Sequence, residues 1–186
     1  MNKSLPWGKD TIVEAIATHH NAFVSSIESL DAATFEFSWM NKWTPGQQLN
    51  HIRKSIDPVV LAFWIPRFML KYQFGLTNRP SRTYQELVDR YLKVLENNKA
   101  IAPKRFAPKK IDFSAREKEF NAYKKSVQRL LALAEKCPEK DLDLYVIPHP
   151  LIGKLTLREM LFFCVYHVQH HNKLTEEILQ TNSNIE

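Results

Sequence analysis

Three histidines fall within five residues late in the chain, His167-Val168-Gln169-His170-His171, inside an otherwise apolar stretch from Leu157 to Leu179. Neutral imidazole suits zinc, nickel, copper or iron, and side chains four residues apart on a helix share one face. At about 100° per residue His171 lies only about 40° around the helix from His167, and Met160, Cys164, Leu174 and Ile178 fall within about 60° of it. Both histidines therefore interrupt the middle of an apolar stripe. His170 falls about 60° to the other side, beside Phe163 and toward Glu159, Tyr166 and Glu177, a polar edge that leans to solvent or backs a site. Two readings suit the inward pair: core histidines hydrogen-bonded to neighbours, or two ligands of a metal that takes its third from another helix and keeps a fourth position open.

A third ligand must come from elsewhere in the chain. His51 borders the buried face of a second helical stretch that carries Ser55, Val59 and Ala62, whereas His20 sits in the stripe Val13, Ile16, Phe23, Ile27 and Leu30. Spacing admits either. His19 points away from that stripe, and His149, in the loop entering the last helix, suits a rim or supporting role. Asp57 and Glu159 lie well off the histidine directions, which disfavours a two-histidine, one-carboxylate iron site. Cys164, one turn before His167, is a soft donor but reads as a small buried hydrophobe. Val168 stands where a zinc protease of the H-E-x-x-H type carries its general base, so peptide hydrolysis by that route is disfavoured. Four glycines in the whole chain leave little room for a phosphate-cradling loop or a nucleophile elbow.

The elements that must position these residues are announced by Ser or Thr followed three residues later by Glu or Gln, the reciprocal arrangement that satisfies the free N–H groups at a helix start. Thr11/Glu14 predicts a helix to about Leu30, Thr44/Gln47 one to about Tyr72, Thr83/Glu86 one to about Asn98, Ser114/Glu117 one to about Lys136, and Thr156/Glu159 one to about Gln180. Pro45 occupies the favoured first turn of the second helix, while Pro58 and Pro66 lie in its interior and should kink or break it. Leu142 to Ile147 is the one stretch that suits a short extended segment. Four long amphipathic helices predict an all-α, up-down four-helix bundle, with the shorter Thr83 to Asn98 helix riding on the connection between the second and third.

Size and composition fit this reading. The 186 residues with 44% hydrophobic content suit one domain spanning residues 1–186. Val59 to Leu70, the richest apolar run, is too short to span a bilayer and is broken by Pro66, and no charged-then-apolar leader opens the chain, so a soluble, cytoplasmic protein with no membrane partner is expected. Cys137 and Cys164 are the only cysteines and are expected as reduced thiols. The net charge of +6 is densest at Lys104, Arg105, Lys109 and Lys110, a short, proline-broken cluster without interleaved aromatics, which reads as a solvated linker. No nucleic-acid partner is expected from it.

Trp43-Thr44-Pro45 leading to His51, and His149-Pro150-Leu151-Ile152-Gly153-Lys154-Leu155-Thr156-Leu157-Arg158-Glu159-Met160-Leu161 leading to His167 and the His170-His171 pair, resemble the DinB/YfiT-like superfamily over nearly the whole chain. The resemblance implies a DinB-type bundle, often homodimeric, with a divalent metal on residues matching His51, His167 and His171 and an open coordination position. It thereby prefers His51 to His20. Zinc or nickel leads among the metals, with iron or manganese behind. Relatives include thiol S-transferases that use bacillithiol, mycothiol or glutathione, in which the metal lowers the thiol pKa, so a small-molecule substrate and a transferase or hydrolase reaction are implied. The competing expectation is a non-catalytic metal-binding or interaction module. The region from residue 74 to 113, with its extra helix and the Pro103 to Ile111 linker, departs from a common pattern and is where substrate selection is expected to reside.

Overall fold

A computed structural model describes residues 7–98 and 103–183. Its long helices are α1 (Lys9–Glu28), α3 (Pro45–Trp64), α6 (Arg116–Lys136) and α8 (Leu157–Ser183). Between them lie α2 (Ala32–Phe35), α4 (Arg67–Phe74), α5 (Tyr84–Asn98) and α7 (Glu139–Leu144), and a two-stranded hairpin of β1 (Val146–His149) and β2 (Gly153–Thr156). The expected all-α four-helix bundle is present, with α5 as the extra short helix on the connection between α3 and α6.

Each helix packs on two others: α1 and α3 both contact α6 and α8. Cross-helix bonds fix the directions. Lys9 of α1 reaches the carbonyls of Glu135 and Cys137 at the end of α6, and Glu28 pairs with Lys124, so α1 and α6 are antiparallel. Asn50 and Arg53 meet Glu119, and Asp57 meets Ser126, so α3 and α6 are parallel. The connection from α3 to α6, described over residues 65–98 and 103–115, returns the chain to the end where α3 began, a long crossover of the kind such bundles accept. The long helices therefore run up, down, down, up rather than strictly alternating.

Three of the five expected capping boxes form: Thr44 with Gln47, Thr83 with Glu86, and Thr156 with Glu159 exchange side-chain and backbone bonds. The other two helices start elsewhere. α1 begins at Lys9 after Gly8, which leaves Thr11 inside the helix, and Ser114 lies in a 3₁₀ turn, Phe113–Ala115, that feeds α6. The second predicted helix breaks at Pro66, whose missing N–H and clash with the preceding residue force Ile65 into an extended conformation at φ −62°, ψ 135°. Pro58 is absorbed within α3. Of the predicted extended segment only Val146 and Ile147 are in a strand; Leu142 to Leu144 complete α7.

Two ion clusters, each built on a buried side chain of α8, fix where that helix starts, and hence the height of its histidines. Glu159, placed by the sequence at a polar edge, is fully buried because Arg79 and Arg82 come to it: Arg79 Nη1 and Nη2 donate at 2.6 and 2.8 Å, and the Arg82 N–H at 2.7 Å. Burial alone would raise its pKa, but these donors and the Thr156 N–H outweigh it and hold the carboxyl below its ordinary value. Arg158, also buried, forks onto Asp143 and Glu139 of α7. At the other end of the site, Gly46 in the first turn of α3 lets the Phe35 ring lie against the backbone, since a Cβ there would come within 2.7 Å of Phe35 Cε1.

Candidate metal centre

The three expected histidines converge. His51 enters from the second turn of α3, while His167 and His171 sit one turn apart on α8, which runs antiparallel to it. His167 Nε2 lies 3.2 Å from His51 Nε2 and 3.0 Å from His171 Nε2. Among the described residues these are the group of three or more metal-capable side chains whose donor atoms come together, all within 4.8 Å, and all three are buried.

The nitrogens facing outward determine what the inner ones can be. His51 Nδ1 donates to the Phe106 carbonyl at 2.7 Å, and a carbonyl only accepts, so Nδ1 holds the proton of the neutral ring and Nε2 presents a lone pair. His171 Nδ1 likewise donates to Gln48 Oε1. Burial lowers the pKa of all three rings, and the proximity of His171 and His51 pushes His167 down further, so the neutral forms prevail at pH 7. A proton on His167 Nε2 could serve one of the two facing lone pairs and would leave the other opposed. A cation satisfies all three at once. Two nitrogens each about 2.0–2.1 Å from one zinc, at angles between square and tetrahedral, lie about 2.8–3.4 Å apart, which brackets both observed separations. The donor set therefore fits a divalent metal.

Aromatic rings hold this cluster and exclude water from two sides. Trp43 stacks on His171 with an interplanar angle of 8° and tilts against His51, while Phe163 stacks on His167 at 23°. The remaining side opens into a cavity of about 210 Å³ bounded by Tyr91, Phe106, His149, Leu151 and Phe163. One face of the centre is thus accessible to a small molecule.

The remaining histidines separate as follows. His20 of α1 is buried against the Tyr123 hydroxyl of α6 and is not part of the cluster. His149 lines the cavity from the end of β1, and half-buried His170 meets His171 edge-on at the cavity margin. Cys164 is buried, with its thiol pushed up to about 12 by burial, and takes no part in the cluster. Cys137 is also a free thiol.

Three contributors went unseen in the sequence. Gln48 is one turn before His51 on the same face of α3, a spacing that could have flagged it. The Phe106 carbonyl lies in the linker read as merely solvated, which Lys54 and Asn50 pin to α3 through Ala107 O and the Lys109 N–H. Trp43 was noted only as part of a motif.

The DinB superfamily model matches residues 15–174. Among curated proteins none matches the sequence. A conserved protein from Enterococcus faecalis is 11% identical with a TM-score of 0.60, the match covering 95% of this chain and 97% of that one. The colibactin self-resistance protein ClbS, solved in complex with a dsDNA, is 14% identical with a TM-score of 0.56, covering 94% and 97%. At these identities the likeness is one of fold. It nevertheless overturns the expectation that this architecture has no nucleic-acid partner. That expectation rested on missing base-reading motifs, yet a duplex can be held through its phosphates alone. No described helix is long and apolar enough to cross a membrane.

Proposed function

The chain belongs to the DinB superfamily, and from that premise we propose that it is a divalent-metal-dependent enzyme, a thiol S-transferase or hydrolase, with His51, His167 and His171 as ligands. The observation that carries this reading is the convergence of three neutral Nε2 atoms, two with their tautomers fixed by acceptors, at the floor of a cavity open on one side. Three imidazoles without a carboxylate favour zinc or nickel over iron or manganese. When bound, such an ion supplies the Lewis acidity that makes a thiol or water nucleophilic at neutral pH. Phe106 and Gln48 orient the two outer ligands; Trp43 and Phe163 keep water from the sides. Cys164 is too buried and too weakly acidic to serve as a thiolate, so the nucleophile enters through the cavity with the substrate. The open face argues against a closed, purely structural metal site.

Metal analysis of the purified protein tests this. We expect stoichiometric divalent metal, and loss of both the metal and the metal-induced thermal stabilisation in His167→Ala. Metal-free native protein with an unchanged His167→Ala response refutes it.

A second reading has its own observation. Exposed Lys104 and Arg105 stand between Pro103 and Phe106, two residues that line the cavity, so the basic linker forms part of the rim. With a neighbour of this fold solved on dsDNA, the rim is a candidate phosphate contact. Duplex affinity that falls steeply with salt and drops in a Lys104→Ala/Arg105→Ala variant supports it; no binding at low salt eliminates it. Two further features belong to the proposal. Reduced, buried cysteines suit the cytoplasm. Leu61, Trp64 and Phe68 leave an exposed apolar strip, with Trp64 70% and Phe68 73% accessible, that suits a homodimer contact.

A further inference from the structure

In the cavity wall beside the three-histidine cluster, the hydrogen-bonding state of the His149 ring is set by the backbone. His149 ends β1, and its ring folds back over the hairpin turn so that Nδ1 accepts the N–H groups of Leu151 at 3.2 Å and Ile152 at 3.3 Å. A nitrogen that accepts two backbone protons cannot carry one of its own, so the proton of the neutral ring resides on Nε2. Nε2 is on the opposite edge of the ring from the turn. Among the described residues it has no protein partner, and its residue lines the cavity. Two aromatic rings pack against the imidazole: Phe163 meets it edge-on with centroids 4.3 Å apart, and Tyr91 meets it at 89° with centroids 6.1 Å apart. Phe163 also stacks on His167, so one aromatic ring sets His149 and a cluster histidine relative to each other.

The geometry points to His149 as a substrate-positioning residue whose Nε2–H donates to an acceptor oxygen, a carbonyl or an oxyanion, of a ligand seated in the cavity beside the cluster. This rests on the reading of the cluster as a metal site. A protonated imidazole there would attract any anion; a neutral one selects by geometry, favouring a molecule whose acceptor oxygen lies beside the group that reaches the histidines. Burial brings the His149 pKa down to about 4, which keeps it a neutral donor across the physiological range. Apart from Ser55, whose hydroxyl donates to the His51 carbonyl, the Tyr91 hydroxyl and His170 at the margin, the rest of the wall, including Leu151, Met160 and Phe163, is aromatic or aliphatic. The favoured ligand is therefore a small apolar or aromatic body bearing one such oxygen.

Two measurements test this. Long-range ¹H–¹⁵N correlation spectra of the metal-free protein at neutral pH should show His149 as the Nε2–H tautomer; an Nδ1–H tautomer overturns the proposal without reference to any metal. Acetohydroxamate, which presents two adjacent oxygens, should then bind the zinc-loaded protein roughly tenfold more weakly after His149→Phe, the loss of about one good hydrogen bond. His149→Gln, whose amide can offer an N–H from a similar position, should recover most of that affinity, and zinc content should be equal in all three proteins. A packing role predicts the opposite ranking, with Phe better tolerated than Gln. Equal affinity of wild type and His149→Phe overturns the proposal. Failure of the wild-type protein to hold zinc instead overturns the metal reading, while the tautomer spectrum still judges His149.

Discussion

Replacing Gln48 by Leu removes the acceptor that fixes the His171 tautomer while leaving a side chain of similar size in a position only 3% exposed. Partners of this kind typically contribute 10–100-fold to metal affinity, about 1.4–2.8 kcal/mol. At free zinc equal to about 100 times the wild-type dissociation constant, binding stabilises the fold by about 2.7 kcal/mol; after a 10–100-fold loss the same zinc gives only about 1.4 to 0.4 kcal/mol. At about 2–4 °C per kcal/mol for a domain of this size, the zinc-induced rise in Tm should shrink from about 5–11 °C to about 1–6 °C. The metal-free variant also melts earlier, because the buried Nδ1–H loses its acceptor at a cost of about 1–3 kcal/mol. The diagnostic quantity is therefore the difference between zinc-loaded and metal-free Tm, followed by thermal melts in a zinc-buffered solution. Gln48→Glu, which keeps the acceptor and adds basicity, should preserve or increase that difference. An undiminished zinc-induced rise in Gln48→Leu refutes the claim that the His171 tautomer is set for metal.

Glu159→Ala should lower Tm by about 6–12 °C, since it strands Arg79 and Arg82 and costs about 3 kcal/mol, near the lower end for a broken buried pair because both arginines are partly exposed; calorimetry reads it. His20 is buried neutral with its pKa depressed from 6.5 to about 3, so its contribution is complete above pH 6.5 and is lost as pH falls toward 3, about 2 kcal/mol of it by pH 5. His20→Gln should consequently flatten the decline of stability between pH 6.5 and 5, measured by urea unfolding. Gly46→Ala forces the Phe35 ring off the first turn of α3 and should cost about 1–3 kcal/mol in the same assay. If Leu61, Trp64 and Phe68 form a dimer contact, Trp64→Lys should convert a dimer to a monomer in light scattering; a wild-type monomer sinks that contact.

Periodicity made the helices and the inward direction of His167 and His171 legible, because both follow from a 3.6-residue repeat. The choice of His51 over His20 was not legible that way. Both sit on buried faces, and only tertiary pairing, α3 with α8 on one side and α1 with α6 on the other, separates a cluster member from a core histidine bonded to Tyr123. Glu159 was misplaced for a related reason. Its angle on α8 is polar by the company it keeps on the helix, but its partners Arg79 and Arg82 arrive from a loop far away in sequence. The linker carrying Phe106 was discounted because its side chains look solvated, whereas its contribution is a main-chain carbonyl, which no side-chain pattern reports. Thr11 and Ser114 matched the capping pattern without capping, since a four-residue signature also arises inside a helix or next to a 3₁₀ turn.

X-ray absorption at the zinc edge of the zinc-loaded protein addresses the central claim most directly. One zinc per chain with three nitrogen neighbours at about 2.0–2.1 Å and one exchangeable oxygen is the predicted result, with the nitrogen count falling in His51→Ala. A sulfur neighbour, a fourth protein ligand that closes the site, or a spectrum unchanged by loss of His51 would contradict it.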